Sequence, residues 1–208
     1  MSPDETKAIS HEFLRGHSIQ INETLPLLEA ASELRPQDSV SVARRSVILS
    51  YVIGIGFGAD VSKLGNYLGE IELLQYASRK ERRLLGAMTH TDQEKIDATW
   101  LTECAQSLAW CMGLTDLDPF QPCDDSLASN FPQPFSDPSE FITSAVLRPF
   151  DQIYQQADLH YRLHWAARDS RVNGTDCRIE EGFIKERRKP LDWVIGVEDD
   201  WDEVPLDT

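Results

Sequence analysis

Asp158, His160, Arg162, His164 and Arg168 fall in one short stretch, ADLHYRLHWAARDS, from Ala157 to Ser170. An imidazole beside a carboxylate and a guanidinium can be tuned toward neutral pH and can pass a proton. With Glu103 these five form the candidate catalytic set for acid/base chemistry. At a period of 3.6 residues, Ile153, Ala157, Tyr161, His164, Trp165 and Arg168 share one side of a helix, while Leu159, Leu163 and Ala166 fall on others. A helix that is apolar on several sides is enclosed by its domain, so its charges need partners. Asp158 and Arg162 are one turn apart and spaced to pair. The structural alternative to chemistry has one His exposed and the other donating a buried hydrogen bond. It also makes Trp165 one of the most enclosed residues, with Trp165→Ala costing about 3–5 kcal/mol.

His160 and His164 have the spacing of a two-histidine metal clip. The metalloprotease helix, however, places Glu directly after the first His, where Tyr161 stands, and no Cys or further His follows at ligand spacing. No metal is expected. Gly54-Ile55-Gly56-Phe57-Gly58-Ala59 fits the G-x-G-x-x-A dinucleotide fingerprint, with Glu72 at a distance suited to a ribose. No βαβ series follows it. Asp60 would also set a negative charge where the pyrophosphate belongs. Close helix packing at small residues, then a turn, is the simpler reading. Nucleophile elbow, P-loop and kinase signatures are absent, and no cofactor is expected.

The elements that must position these groups read as helices. Across 208 residues the composition is that of a globular chain, with 41% hydrophobic and 26% charged residues. Residues 1–36 read as an N-terminal helical extension, with Ile19, Ile21, Leu25, Leu27 and Leu28 as its apolar face and Arg35-Pro36 as its end. A main helical domain over 37–208 follows. Ser39 or Ser41 caps an apolar helix, and Asp60 caps a short one. Ser78 with Glu81, and Thr91 with Glu94, form capping boxes. The second box opens a long helix ending near Gly113. Thr115 to Glu140 holds five prolines and Phe120, Phe131 and Phe135, a long loop pinned by its aromatics. Asp137-Pro138-Ser139-Glu140 starts the helical region that carries the central stretch. Val172-Asn173-Gly174 is a turn. A last helix from Glu180 to about Ile195 should be kinked or interrupted by Pro190. No strand alternation appears, so the fold class is all-α: a single compact multi-helix domain with a Pro-rich loop and an ordered C-terminal tail.

A net charge of -15 argues against nucleic acid or an anionic membrane as partner and favours encounter with a basic one. The longest apolar run, Val47 to Ala59, is too short to span a bilayer. The N-terminus shows no leader, and Cys104, Cys111, Cys123 and Cys177 read as free thiols of a reducing cytoplasm. Between Lys95 and Arg148 there is no Lys or Arg, while eight acids fall there. Asp116, Asp118, Asp124 and Asp125 from this gap, with Asp199 and Asp200 from the tail, are the candidate partner-binding residues. The alternative is solvated charge with local pairing. The tail WDEVPLDT combines Trp201, Val204 and Leu206 with acids, which predicts an end folded back on basic groups. Trp201 should be buried, and one of Asp200, Asp202 and Asp207 should meet an Arg.

RR at 44–45, GFGAD at 56–60, W-x-x-E at 100–103, LAWCMGL at 108–114, DLHYRLHWAARD at 158–169, ERR at 186–188 and WDEVPLDT at 201–208 occur in one order. On these motifs residues 40–208 resemble a bacterial family of uncharacterised proteins, domain-of-unknown-function family 4272, with the first 36 residues outside it. The resemblance implies a soluble bacterial protein and transfers no activity, cofactor or catalytic residue. Two functional readings follow from the residues. The first is a non-enzymatic, acidic, helical protein-binding module, in its most concrete form an immunity-type protein neutralising a basic toxin. The second is an enzyme with its site on the 158–168 helix. A deep pocket where those polar groups converge would favour the enzyme; closed-off pairs with acidic or apolar surface elsewhere would favour the module. Neither reading sets an oligomeric state.

Overall fold

The computed structural model describes all 208 residues as eight α-helices and two short 3-10 turns, with no strand. Helix α1, Pro3–Gly16, opens on a Ser2/Glu5 capping box with Pro3 in the first turn. It ends long before Arg35. Ser18 turns left-handed (φ 57°), and the Ile19 N–H donates to the Leu14 carbonyl at 2.9 Å, closing the helix. The expected helical extension over 1–36 is therefore corrected to one helix and a long irregular connection. In that connection Ile19 and Leu25 are buried and Leu27 is exposed. These apolar residues serve different contacts, not one helix face.

Helix α2, Ser39–Gly56, is capped by Asp38, whose carboxylate accepts the Ser41 N–H, in place of the expected serines. It crosses α5 at Gly56, where a Cβ would lie 2.6 Å from Thr99 Cγ2 and 2.8 Å from the Lys95 carbonyl. The glycine-rich run is thus the end of a helix in tight packing, not the strand-to-helix turn of a dinucleotide site. By length and hydropathy α2 reaches the range of a membrane span, longer than the Val47–Ala59 run suggested; here it is the apolar centre of the bundle.

Asp60 caps α3, Val61–Glu70, and a 3-10 turn follows at Leu74–Tyr76. The capping boxes at Ser78 and Thr91 open α4, Arg79–Gly86, and α5, Asp92–Cys111. The Pro-rich segment carries the other 3-10 turn, Asp125–Asn130. Helix α6, Ser139–Thr143, is only five residues long. Helix α7, Phe150–Asn173, ends on left-handed Gly174, and α8 spans Glu181–Ile195.

Helix α8 runs through Pro190 instead of stopping there. Proline removes the amide that would bond the Glu186 carbonyl four residues earlier. That carbonyl accepts instead from the Cys104 thiol, at 3.0 Å.

The helices pack in succession: α2 on α5, α5 on α8, α8 on α7, and α7 on α1. The main apolar core joins α2, α5, the ends of α7 and α8, and the tail. A smaller cluster joins Leu14 and Ile19 to Leu159, Leu163, Ala166, Ala167, Ile179 and Ile184. Trp165 lies at the edge of this second cluster and is only partly buried. The expected deep burial is corrected, and its truncation should cost less than a core deletion, because part of the side chain already meets water.

The tail folds back. Trp201 is 4% exposed. Its ring meets Trp193 edge-on at 5.4 Å and lies beneath Arg45 (5.1 Å) and Lys189 (4.6 Å). The carboxylates of Asp200, Asp202 and Asp207 meet no Arg, contrary to expectation. Asp202 accepts the Lys80 backbone N–H at the start of α4, and Glu203 pairs with Arg79 at 2.9 Å. A helix N-terminus offers Asp202 unpaired donors and a positive dipole end, which an exposed guanidinium does not better. Deleting residues 201–208 should lower the melting temperature by several degrees, since a loss of about 1–2 kcal/mol shifts a domain of this size by roughly 2–8 °C. An unchanged thermal melt would show that these contacts add nothing net.

Candidate functional site

The chemistry-bearing residues of α7 are engaged with each other and with neighbouring elements. Arg162 grips Asp158 through two hydrogen bonds, 2.8 and 2.9 Å, and both side chains are almost completely enclosed. Arg188 of α8 donates to Asp192 at 2.8 Å, to His164 Nδ1 at 3.2 Å and to the Asp207 carbonyl at 2.9 Å. The Tyr161 ring lies under both guanidiniums, 5.9 Å from Arg162 and 4.7 Å from Arg188. Arg168 stands apart, exposed, and donates to Thr208 Oγ1.

Both histidines are buried, which corrects the expectation of one exposed ring. His160 Nδ1 faces the Gln156 carbonyl one turn back at 2.9 Å, so this nitrogen carries the proton. Burial lowers His160 to about 3, against the raising effect of that carbonyl. Burial and then the Arg188 charge lower His164 to about 4. Burial pushes the Asp192 carboxyl up to about 7, Arg188 pulling the other way. The two rings turn their Nδ1 atoms to different partners, one to its own helix and one to α8. No group of three or more His, Cys, Asp and Glu is arranged around a common point.

Two further ionic groups are buried. Arg45 pairs with Glu81, the carboxylate that also closes the α4 capping box. Arg187 is wholly enclosed. It donates to Glu103 (2.7 Å) and Gln106 (2.7 Å) of α5, and to the carbonyls of Asp118 (2.6 Å) and Gln121 (2.7 Å) in the Pro-rich segment. Glu103 in turn accepts the Cys123 N–H at 2.9 Å. Of the eight acids in the cation-free gap, Glu103 is therefore internal.

This anchor holds the 123–135 segment over a groove of about 760 Å³. Ile53 and Gly54 of α2, Phe57 just past its end, Leu64 of α3 and Ala105 of α5 form one side. Leu127, Phe131 and Phe135 form the other, with Asp124 and Asp125 also in the wall. Two further cavities measure about 700 and 210 Å³. None of the three takes a wall from Asp158, His160, Arg162, His164 or Arg168. Burial pushes the Cys123 thiol up to about 12, so the groove holds no ready thiolate.

Asp116, Asp118, Asp124, Asp125, Asp199 and Asp200 are all exposed. Only Asp124 and Asp125 meet at the groove. Asp118 accepts the Phe120 N–H, and Asp200 accepts the Asp202 N–H in the turn after α8. Sequence reasoning missed Tyr51, Gly54, Phe57 and Leu64 as groove residues. The usable signal was the loop's own mixture of phenylalanines, prolines and acids without a base.

Fold and site together define an all-α protein whose candidate acid/base residues, exposed Arg168 apart, are internal and whose main cavity is lined mostly by apolar residues. The chain matches the family described as Domain of unknown function (DUF4272) over residues 6–204, and it belongs to that family. The match begins within α1, so most of the N-terminal segment lies inside the family and not outside it. No curated protein and no solved structure matches the chain.

Two outcomes follow. Glu103→Ala leaves Arg187 buried without its carboxylate and should cost about 3–5 kcal/mol, read in a denaturant melt; a loss below 1 kcal/mol would mean that Gln106 and the two carbonyls suffice. The second concerns pH. Unfolded histidine takes its proton near 6.5, whereas folded His160 resists it until about 3. Its stabilising contribution is complete above pH 6.5 and is lost as pH falls through that window. Asp192 acts in the opposite sense, losing stability as pH rises from 3.8 to about 7. His160→Gln should therefore flatten the fall in stability on acidification relative to the parent, whatever its absolute stability. Parallel curves would refute the neutral, buried ring.

Proposed function

We propose that this chain is a non-enzymatic, acidic binding module for a basic protein partner, its most concrete form a bacterial immunity-type protein that neutralises a toxin in the cytoplasm. One observation carries the reading. Exposed Arg168 apart, the residues that could build an acid/base centre are closed into buried contacts, while the open cavity is mostly apolar with a carboxylate wall. Catalysis would need those groups to converge on a pocket. Asp158 instead faces Arg162, His160 faces its own helix, and His164 faces Arg188. The net charge of -15 adds support, since an acidic surface speeds encounter with a basic partner and repels nucleic acid. An affinity pull-down from the native host should recover one basic protein in stoichiometric amount, with binding that weakens as salt is raised. Recovery of no stoichiometric partner overturns the proposal.

A further inference from the structure

We propose that the groove beneath the 123–135 segment is the docking site for a basic amphipathic segment of the partner, with large apolar side chains seated between α2 and Leu127 and Lys or Arg held at Asp124 and Asp125. This rests on the binding-module reading and supplies its site.

The groove is apolar where it is deep and acidic where it opens. Its wall contains two carboxylates and no Lys, Arg or His. Nor is there a basic residue between Lys95 and Arg148 to compete for those carboxylates. Asp124 is tied to Ser126, whose hydrogen bonds hold the carboxyl below the usual range, so it stays charged. Asp125 is exposed and forms no ion pair. An acidic or phosphorylated ligand would meet only repulsion here. A second copy of this chain would bring the exposed cations of α4, Arg79, Lys80, Arg82 and Arg83, but on a molecule of net charge -15 that the acidic rim repels.

The rim is apolar surface left in water. Phe57 is 72% exposed and Phe135 50% exposed, and both stand at the groove, where a ligand can cover them together. Phe135 is also held in a left-handed conformation (φ 63°) that bulky residues rarely adopt. The Tyr51 hydroxyl accepts its N–H at 2.8 Å. Its ring stands edge-on to Tyr51 and Tyr67, and the Tyr67 hydroxyl donates to the Ser136 carbonyl at 2.7 Å. The wall is therefore set before anything binds, which lowers the ordering cost of association. An amphipathic segment presenting apolar anchors in a row with flanking cations matches both features.

The test uses the full chain, isotope-labelled, titrated with a synthetic Leu/Lys peptide of about fourteen residues at helical spacing. Amide shift changes should concentrate at Gly54, Phe57, Thr102, Leu127 and Phe135. Ala128→Trp, at an exposed lining position, should fill the groove and weaken binding about tenfold or more, with an unchanged melt confirming the fold. Asp124→Asn combined with Asp125→Asn should remove most of the salt dependence. A Lys/Ser peptide of equal charge and a Leu/Glu peptide should both bind at least about tenfold more weakly. Shift changes confined to other acidic surfaces, or full affinity in Ala128→Trp, overturn the groove. Repeating the host pull-down with Ala128→Trp separates the two proposals. A partner captured equally by parent and variant overturns the groove and leaves the module; no partner on either overturns the module itself.

Discussion

Arg187 is the group on which most of the arrangement depends. It carries a full charge, is wholly enclosed, and directs every nitrogen of its guanidinium at an acceptor. Two acceptors belong to α5 and two to the Pro-rich segment, so one side chain on α8 joins two helices and a loop that has little regular structure of its own. A planar fork with five donors suits this task, and a lysine could not reach the same set. Glu103 completes the joint by accepting both Arg187 and the Cys123 amide. Without it the segment would lose the Cys123 amide contact and keep only the Arg187 bonds to two carbonyls and its contacts with Tyr51 and Tyr67.

The same principle repeats through the bundle. Asp158–Arg162 and Arg188–Asp192 lie on facing helices beside His164, and Arg45–Glu81 ties α2 to the start of α4. Such pairs are a weak source of net stability, because desolvation offsets most of the attraction. The α7 and α8 pairs each lie within one helix, so each helix neutralises its own buried charge before the two meet. Between them the Arg188–His164 contact, and across longer spans Arg187–Glu103 and Arg45–Glu81, tie one helix to another.

Apolar surface follows a complementary pattern. Most of it is consumed by the stacked helices and by Trp193 with Trp201. Of the apolar side chains left exposed, Phe57 and Phe135 meet at the groove where the Pro-rich segment bridges α2 and α5. Prolines and a strained Phe135 keep that segment from collapsing into a helix, and Arg187 keeps it from drifting away.

Local chemistry made part of this legible in the sequence. The capping boxes at Ser78 and Thr91, the Asp60 cap, the Gly113 stop and the Asp158–Arg162 pair depend on residues within one helical turn, so their types and spacing suffice, whereas the turn expected at Val172-Asn173-Gly174 is corrected, α7 running on through Asn173. The all-α class follows from those signals together. The tertiary structure alone decided the rest, because the deciding partner lies far along the chain. Arg187 meets Glu103 across 84 positions, and Arg45 meets Glu81 across 36. Pro190 stays inside a helix because a distant cysteine takes the carbonyl it frees. His160 and His164 turn inward, and Trp165 outward, because α8 and not the helix's own periodicity covers that side. The groove could not be read at all: it is empty space between α2, α5 and a loop, and no one of them describes it.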